Sequence, residues 1–343
     1  MIFNSRLLFN IMSIKNTIRK VAFNHLSDKS IENFYKIYYR LRYPNEMEKE
    51  KSFGGLNTDK TIYIIRPRTD CTEGLMSLYI NVLKNLEYGI SKGYTCLVDF
   101  KNYKTQYFDP LNPSQNIWDL FFTQPSSIKL EDAYHSKNVI LSGLNINWYN
   151  SNIFNNKFDD YKVQHDFAFK YIDFSKDVKS AVDHELLTIG IKSSELIGLY
   201  LRGTDYVALK PSGHPIQPTP YQGIEIVDSY LKKHPDIKGI FLVTEDYSYY
   251  QIIKNYYKQH CYIASFDKFI TNYDGKTFLS HESSINELGT SAYQRGLNYL
   301  VKLIILSKCR YIVGGRTMGT RAVLLFSGKK NNAYIFDLGN YGK

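Results

Sequence analysis

TIYIIRPRTDCTEGLMSLYINVLKNLEYGISKGYTCLVDF, residues 61–100, decides the fold class. Thr61–Arg66 is a short β-branched run. The loop PRTDCTEG follows it, then a helix from about Leu75 to Ser91, then a second strand at Thr95–Phe100. Strand, loop, long helix and strand is the βαβ unit of a parallel sheet, because parallel neighbours need a crossover between them. Further on, residues 101–128 read as loop, with Pro110, Pro113 and Pro125, and Asn138–Leu141 reads as another strand. Residues 151–195 are polar and then helical, without evident chemistry.

A second α/β unit opens at Leu196. The buried strand Ile197–Leu201 runs into RGTDY. After a Pro-rich loop the pattern predicts a helix over about Gly223–Lys233, a strand at Gly239–Thr244 and a helix over EDYSYYQIIKNYYK. Cys261–Ser265 reads as a strand and Ser291–Ser307 as a long helix. Tyr311–Val313 is a strand ending in GGRTMG, Thr320–Ser327 a helix and Ala333–Phe336 a last strand. No repeat of 20–50 residues is evident. The expected architecture is α/β: two Rossmann-like lobes, residues 59–195 and 196–343, with a cleft between them. A helical N-terminal extension and linker, residues 1–58, precedes them.

Composition narrows the function classes. Hydrophobic residues at 43% and charged residues at 22% exclude wholesale disorder. The net charge of +10 is uneven. Residues 1–42 hold eight Lys/Arg and only two acids, Asp28 and Glu32, which leaves the body nearly balanced. A charge spread along a nucleic-acid groove is therefore not expected. The 30 Tyr and 20 Phe could supply sugar-stacking surfaces, but compositional bias explains them better. Cys71, Cys96, Cys261 and Cys309 form no CxxC pair, so a zinc ribbon or thioredoxin-type site is unsupported, and reduced thiols in the cytoplasm are the simplest reading. No run of 18 apolar residues exists, and no secretory signal is evident.

Phe3, Leu7, Ile11, Ile14, Ile18 and Val21 recur at spacings of three and four, which predicts a helix over residues 1–24 with these residues on one face. Arg6, Lys15, Arg19 and Lys20 lie outside that stripe. Such a helix suits the anionic inner face of the cytoplasmic membrane; packing on the protein body with solvated charges is the alternative. Residues 44–60 are charged and Gly-containing, and read as a linker.

In open parallel sheets, ligands bind beyond the carboxyl ends of the strands. Arg202-Gly203-Thr204-Asp205-Tyr206 stands at one such end. Arg202 could present two parallel donors to a phosphate, with Gly203 allowing close backbone approach. Asp205 could orient Arg202 or bind a hydroxyl; a structural Arg–Asp pair is the bland reading. Gly314-Gly315-Arg316-Thr317-Met318-Gly319-Thr320 lies between a strand and a helix, where free N–H groups make an anion site. Thr244-Glu245-Asp246 follows GIFLVT and is equally readable as base recognition or as a helix N-cap at Thr244. The loop Lys210–Pro218 is proline-stiffened, and His214 could bind phosphate or an acceptor hydroxyl. In the first unit Asp70 and Glu73 precede a helix opened by Gly74, either as general base or as an acidic helix start. No metal-ligand cluster, DxD or GxSxG appears, and the missing GxGxxG argues against an NAD-dependent oxidoreductase.

Taken together, these pieces resemble the fucosyltransferase superfamily of protein O-fucosyltransferases, α-1,6-fucosyltransferases and bacterial relatives encoded with surface-polysaccharide genes. The carrying segments are TEGLMSLYINVLKNLEYGISKGYTCLVDFKNY, GLYLRGTDYVALKPSGHPIQP, FLVTED and LVKLIILSKCRYIVGGRTMGTRAVLL, within residues 61–340. The resemblance implies a GT-B architecture, a GDP-sugar donor substrate without cofactor or metal, and inversion at the anomeric carbon. It implies that Arg202 contacts the β-phosphate and bridging oxygen, that Asp246 lies where guanine is recognised, and that Thr317, Gly319 and Thr320 close on the phosphates. Thr244, Gly315, Arg316 and Met318 belong to the same donor set. Glu73 matches a Glu-Gly pair that supplies the base in some O-fucosyltransferases.

Departures sharpen the roles. Tyr200 stands where the family has a His, two residues before the motif arginine. Lys210 replaces a Glu that acts as base in the α-1,6 branch, which raises Glu73. Gly203 replaces a second Arg, leaving His214 or Arg316 as helpers to Arg202. The implied enzyme moves fucose, or another GDP-linked sugar such as heptose, to a hydroxyl of a capsule, lipopolysaccharide or related glycan, lipid-linked in one reading. The alternative is a non-catalytic nucleotide-sugar or glycan-binding protein of the same fold.

Overall fold

A computed structural model of the chain describes residues 30, 37, 41, 47–67, 73–143, 151–155, 159–273, 275–276, 278–279, 291–329 and 331–342. The expected helix over residues 1–24 and Asp70 lie outside these residues.

The first sheet comprises β1 (Lys49–Lys51), β2 (Ile62–Ile65), β3 (Thr95–Val98) and β4 (Val139–Leu141), in spatial order β1-β4-β2-β3. Strands β3 and β4 both pair parallel with β2, as the βαβ pattern predicts. Strand β1 pairs antiparallel with β4. It lies inside the stretch expected to be linker. Its charges hid it: an edge strand with one solvated face tolerates Lys and Glu. Helix α1 (Leu75–Ser91) connects β2 to β3, with the predicted bounds. Leu75, Met76, Leu78, Tyr79, Ile80, Val82, Leu83 and Leu86 are all buried, because α1 packs on the sheet and against a helix of the second unit. Short helices α2 (Ile117–Phe121) and α3 (Leu130–Ala133) interrupt the loop between β3 and β4.

Helices α4 (Tyr161–Tyr171) and α5 (Lys176–Ile189) follow, capped by Asp160 and Ser175, and α5 stops at Gly190 in the left-handed conformation. The second unit then runs β5 (Leu196–Tyr200), α6 (Thr204–Leu209), α7 (Pro220–Lys233), β6 (Gly239–Val243), α8 (Tyr247–Tyr257), β7 (Cys261–Tyr262), α9 (Ala292–Lys308), β8 (Tyr311–Gly315), α10 (Met318–Ser327) and β9 (Ala333–Phe336). All five strands are parallel, in the order β7-β6-β5-β8-β9. Several bounds differ from expectation, among them that of β7, which ends at Tyr262 and not Ser265. RGTDY, to which no element was assigned, enters a helix, since Thr204 starts α6. Helix α7 begins at Pro220, not Gly223, because Thr219 and Gln222 form a capping box and proline fits the first helical position. Helix α10 begins at Met318, two residues before the expected start.

The two sheets share a core. One buried cluster contains Tyr79 and Leu83 of α1, Leu300 and Ile304 of α9, and Val323 and Leu325 of α10. Helix α4 packs on α10, and α5 packs both on α9 and on α2 of the first unit, so residues 161–189 touch both units. Glu87 of α1 accepts from the backbone N–H of Asn152 and Ile153 and the hydroxyl of Ser151. Arg321 of α10 donates to the carbonyls of Phe154 and Asn155. The 151–155 segment thus joins α1 to α10.

Candidate active site

The order in which strands are laid down in the second sheet reverses between β5 and β8, although all five are parallel. The chain runs outward from β5 through β6 to β7, then returns to lay β8 and β9 on the other side. A crevice opens beyond the carboxyl ends at such a switch point. Tyr200 of β5 is in register with Gly314 of β8 and Val243 of β6, so Arg202, the 315–317 turn and Glu245 stand side by side just past the ladder.

Arg202 donates from Nε (3.1 Å) and Nη2 (3.0 Å) to Asp205 Oδ1, and from Nη2 to Oδ2 at 2.9 Å. Its side chain is 26% exposed, whereas that of Asp205 is 1% exposed. Asp205 sits in the first turn of α6, which is why the pair spans only three residues. Among the described residues nothing bonds Nη1. The guanidinium also lies over the Tyr206 ring, 4.3 Å from its centroid, and 4.0 Å from Glu245. Burial works to lower the Arg202 pKa, but Glu245 and Asp205 outweigh it and hold it above the ordinary value. Burial likewise pushes the Glu245 carboxyl up, against the pull of Arg202. Glu245 accepts from the Gly203 N–H (3.2 Å) and the Thr204 hydroxyl (2.9 Å), fixing the turn into α6.

Gly203 has no room for a side chain, since a Cβ there would lie 2.6 Å from Asp246 Oδ2. Asp246 itself caps α8 through Oδ1, accepting from the N–H of Ser248 and Tyr249. The expected N-cap at Thr244 is therefore corrected: buried Thr244 accepts from the Asp246 N–H, and Asp246 is the cap.

Thr317 caps α10, accepting from the Thr320 N–H at 3.0 Å. Thr320 in turn donates to the Gly315 carbonyl at 2.6 Å. The N–H groups of Met318 and Gly319 have no intrahelical acceptor, so the turn offers two donors and a positive dipole end. Gly319 is enforced from below. Buried Tyr200 and half-buried Tyr299 share a 3.2 Å hydroxyl contact, and a Cβ on Gly319 would fall 2.3 Å from the Tyr299 hydroxyl. Arg316 is turned away: it is exposed and paired with Asp337 at 2.6 Å. His214 stacks edge-on against Tyr206 (5.3 Å between centroids) and near Phe278.

Glu73 precedes α1 at the carboxyl side of the first sheet, and its carbonyl accepts from Gln106. The next links reach the second unit. Leu75 N–H donates to the Tyr107 hydroxyl at 2.9 Å, and Tyr107 lies against Gly296 of α9. One turn along α9 is Tyr299, which meets Tyr200 two residues before Arg202. The start of α9 thus stands between the Glu73 and Arg202 segments. Among the described residues no group of three or more His, Cys, Asp or Glu could hold a metal ion, and no helix is long and apolar enough to cross a membrane.

No protein-family profile and no curated protein matches the sequence. Solved structures do match in fold. The chain resembles fucosyltransferases. Fucosyltransferase NodZ from Bradyrhizobium is 12% identical, over 77% of this chain and 92% of that one, with a TM-score of 0.49. A mutant of Arabidopsis thaliana FUT1 in complex with GDP is 12% identical, over 82% and 72%, at 0.44. POFUT1 in complex with GDP-fucose is 10% identical, over 81% and 73%, at 0.33.

Sequence reasoning named Arg202, Asp205 and the 315–320 turn at separate strand ends, and the β5–β8 register sets those ends side by side. It quoted Glu245, Tyr206 and Gln217 without giving them a role of their own, and missed Tyr299. The carboxylate of Glu245 two residues past β6 was the available signal; Tyr299, one apolar helix position among many, gave none.

Proposed function

We propose that the protein is an inverting glycosyltransferase that moves a sugar from a GDP-sugar to a glycan hydroxyl. The observation that carries this reading is the Arg202 guanidinium, oriented by buried Asp205 and set beside the capped start of α10 at the switch point. That arrangement suits a diphosphate leaving group. The sequence resemblance to fucosyltransferases supports GDP as the nucleotide and fucose or heptose as the sugar. It also supports a capsule or lipopolysaccharide acceptor.

In the proposed reaction Glu73 takes the proton of the acceptor hydroxyl. The acceptor oxygen attacks the anomeric carbon from the face opposite the diphosphate. The bond from that carbon to the bridging oxygen breaks, and its electron pair leaves on the β-phosphate. Arg202, through Nη1, and the N–H groups of Met318 and Gly319 receive the charge. A single displacement inverts the anomeric centre. Asp246 Oδ2, unused by the cap, is available to a guanine edge.

The test is product formation. GDP-fucose and GDP-heptose are offered with glycan acceptors, and GDP release with glycan extension is followed. Arg202→Lys keeps the charge and loses the fork, and should lower turnover by about 10²-fold or more. Binding of GDP-sugar without turnover on every acceptor favours a non-catalytic binder. Equal turnover by Arg202→Lys contradicts the assigned role.

A further inference from the structure

The loop Lys210–Pro218 is not a free strap. Gly213 N–H donates to the Tyr341 carbonyl at 2.8 Å, Tyr341 N–H to the His214 carbonyl at 2.9 Å, and Ile216 N–H to the Gly339 carbonyl at 3.0 Å. Pro215 and Asn340 are bridge partners, so the segment after β9 runs antiparallel along the strap. Gly213 and Gly339 both have φ of +82°, which a residue with a side chain rarely adopts, and these turns bring the two segments alongside. Ser212 also lies against Gly342.

The strap reaches the crevice at two points. His214 packs on Tyr206, whose ring also lies under the Arg202 guanidinium. Gln217, only 5% exposed, donates from Nε2 to the Arg316 carbonyl at 3.2 Å and to the Pro215 carbonyl at 3.1 Å. It packs so closely on Gly315 that a Cβ there would lie 2.3 Å from its Oε1. The Arg316–Asp337 ion pair ties the same turn to the residues just before Gly339.

We propose that residues 339–341 are a positioning segment of the nucleotide site: they hold the strap, and through His214 and Gln217 the strap fixes Arg202 and the 315–317 turn around the diphosphate. The proposal rests on the reading that this crevice takes a GDP-sugar. Residues 339–341 need not touch the donor. They act by keeping the strap closed, so loss of the ladder lowers the fraction of binding-competent molecules.

Tyr341→Pro removes the N–H bonded to His214, whereas Tyr341→Ala keeps it. Hydrogen exchange of residues 211–218 and the Kd for GDP are measured on the full chain for both variants. A variant lacking 339–343 serves if Tyr341→Pro fails to fold. The expected result for Tyr341→Pro or the deletion is faster strap exchange and a Kd weaker by about tenfold, one hydrogen bond's worth, with Tyr341→Ala closer to wild type. The donor KM should rise while kcat at saturating donor holds, as for a lost binding contribution. Unchanged strap exchange overturns the proposal, as does faster exchange with unchanged GDP affinity. If wild-type protein binds no GDP, the donor reading fails, while strap exchange still decides whether residues 339–341 hold it.

Discussion

Asp205 meets Arg202 with both carboxylate oxygens, and the acid is buried while the base keeps one face open. That asymmetry assigns the roles. Asp205 has no surface to offer a ligand, so it orients. In the proposed reaction Arg202, with Nη1 outside the pair, is the member that binds the diphosphate.

Removing the arginine alone strands a buried carboxylate. Arg202→Ala should cost about 3–5 kcal/mol in urea unfolding, and Arg202→Ala with Asp205→Asn should recover much of that loss. Both should lack activity. Equal stability of single and double variants would show that the pair is not coupled.

Glu73 is a separate case, because its carboxylate is assigned to proton removal. Glu73→Gln should lower turnover by about 10²–10⁴-fold and leave GDP affinity unchanged. Turnover near wild type moves the base to another group, with Asp70 and His214 next in line.

A methyl group on Gly319 collides with the Tyr200–Tyr299 hydroxyl pair. Gly319→Ala should destabilise by about 1–3 kcal/mol, as overpacking does. Adding Tyr299→Phe removes the nearer oxygen and should return part of the loss. No recovery would place the strain elsewhere.

Burial holds the Glu245 carboxyl above its ordinary value of 4.5 despite Arg202. The folded state therefore binds this proton more tightly than the unfolded state. Its contribution is complete below the ordinary value and is lost as pH rises through the raised one. The unfolding free energy of wild type minus that of Glu245→Gln should fall as pH rises from about 4 to 7. A difference that grows over that range contradicts the sign.

Legibility in the sequence followed the range of the interactions. Helix α1 was readable to the residue, because an apolar run between a Gly-opened start and a Lys-Gly stop is a local signal. Arg202 and Thr317 were readable because strand ends and helix starts carry local chemistry. Strand β1 was not, since Lys49–Lys51 pair with residues some ninety positions away and show only charge. The start of α7 was misjudged because Pro220 looks like loop until Thr219 and Gln222 are seen to cap it. The hold of Tyr341 on His214, and of Gln217 on Arg316, spans more than ninety residues each and leaves no pattern in either segment.

The most direct measurement of the central claim is a thermal-shift panel with GDP, UDP, CDP and NAD on wild type and Arg202→Lys. A ligand that binds only the folded state at 100 times its Kd adds about 2.7 kcal/mol of apparent stability. The account predicts a clear shift with GDP alone, sharply reduced in Arg202→Lys. No shift with GDP, an equal shift with every nucleotide, or a GDP shift indifferent to Arg202 would contradict it.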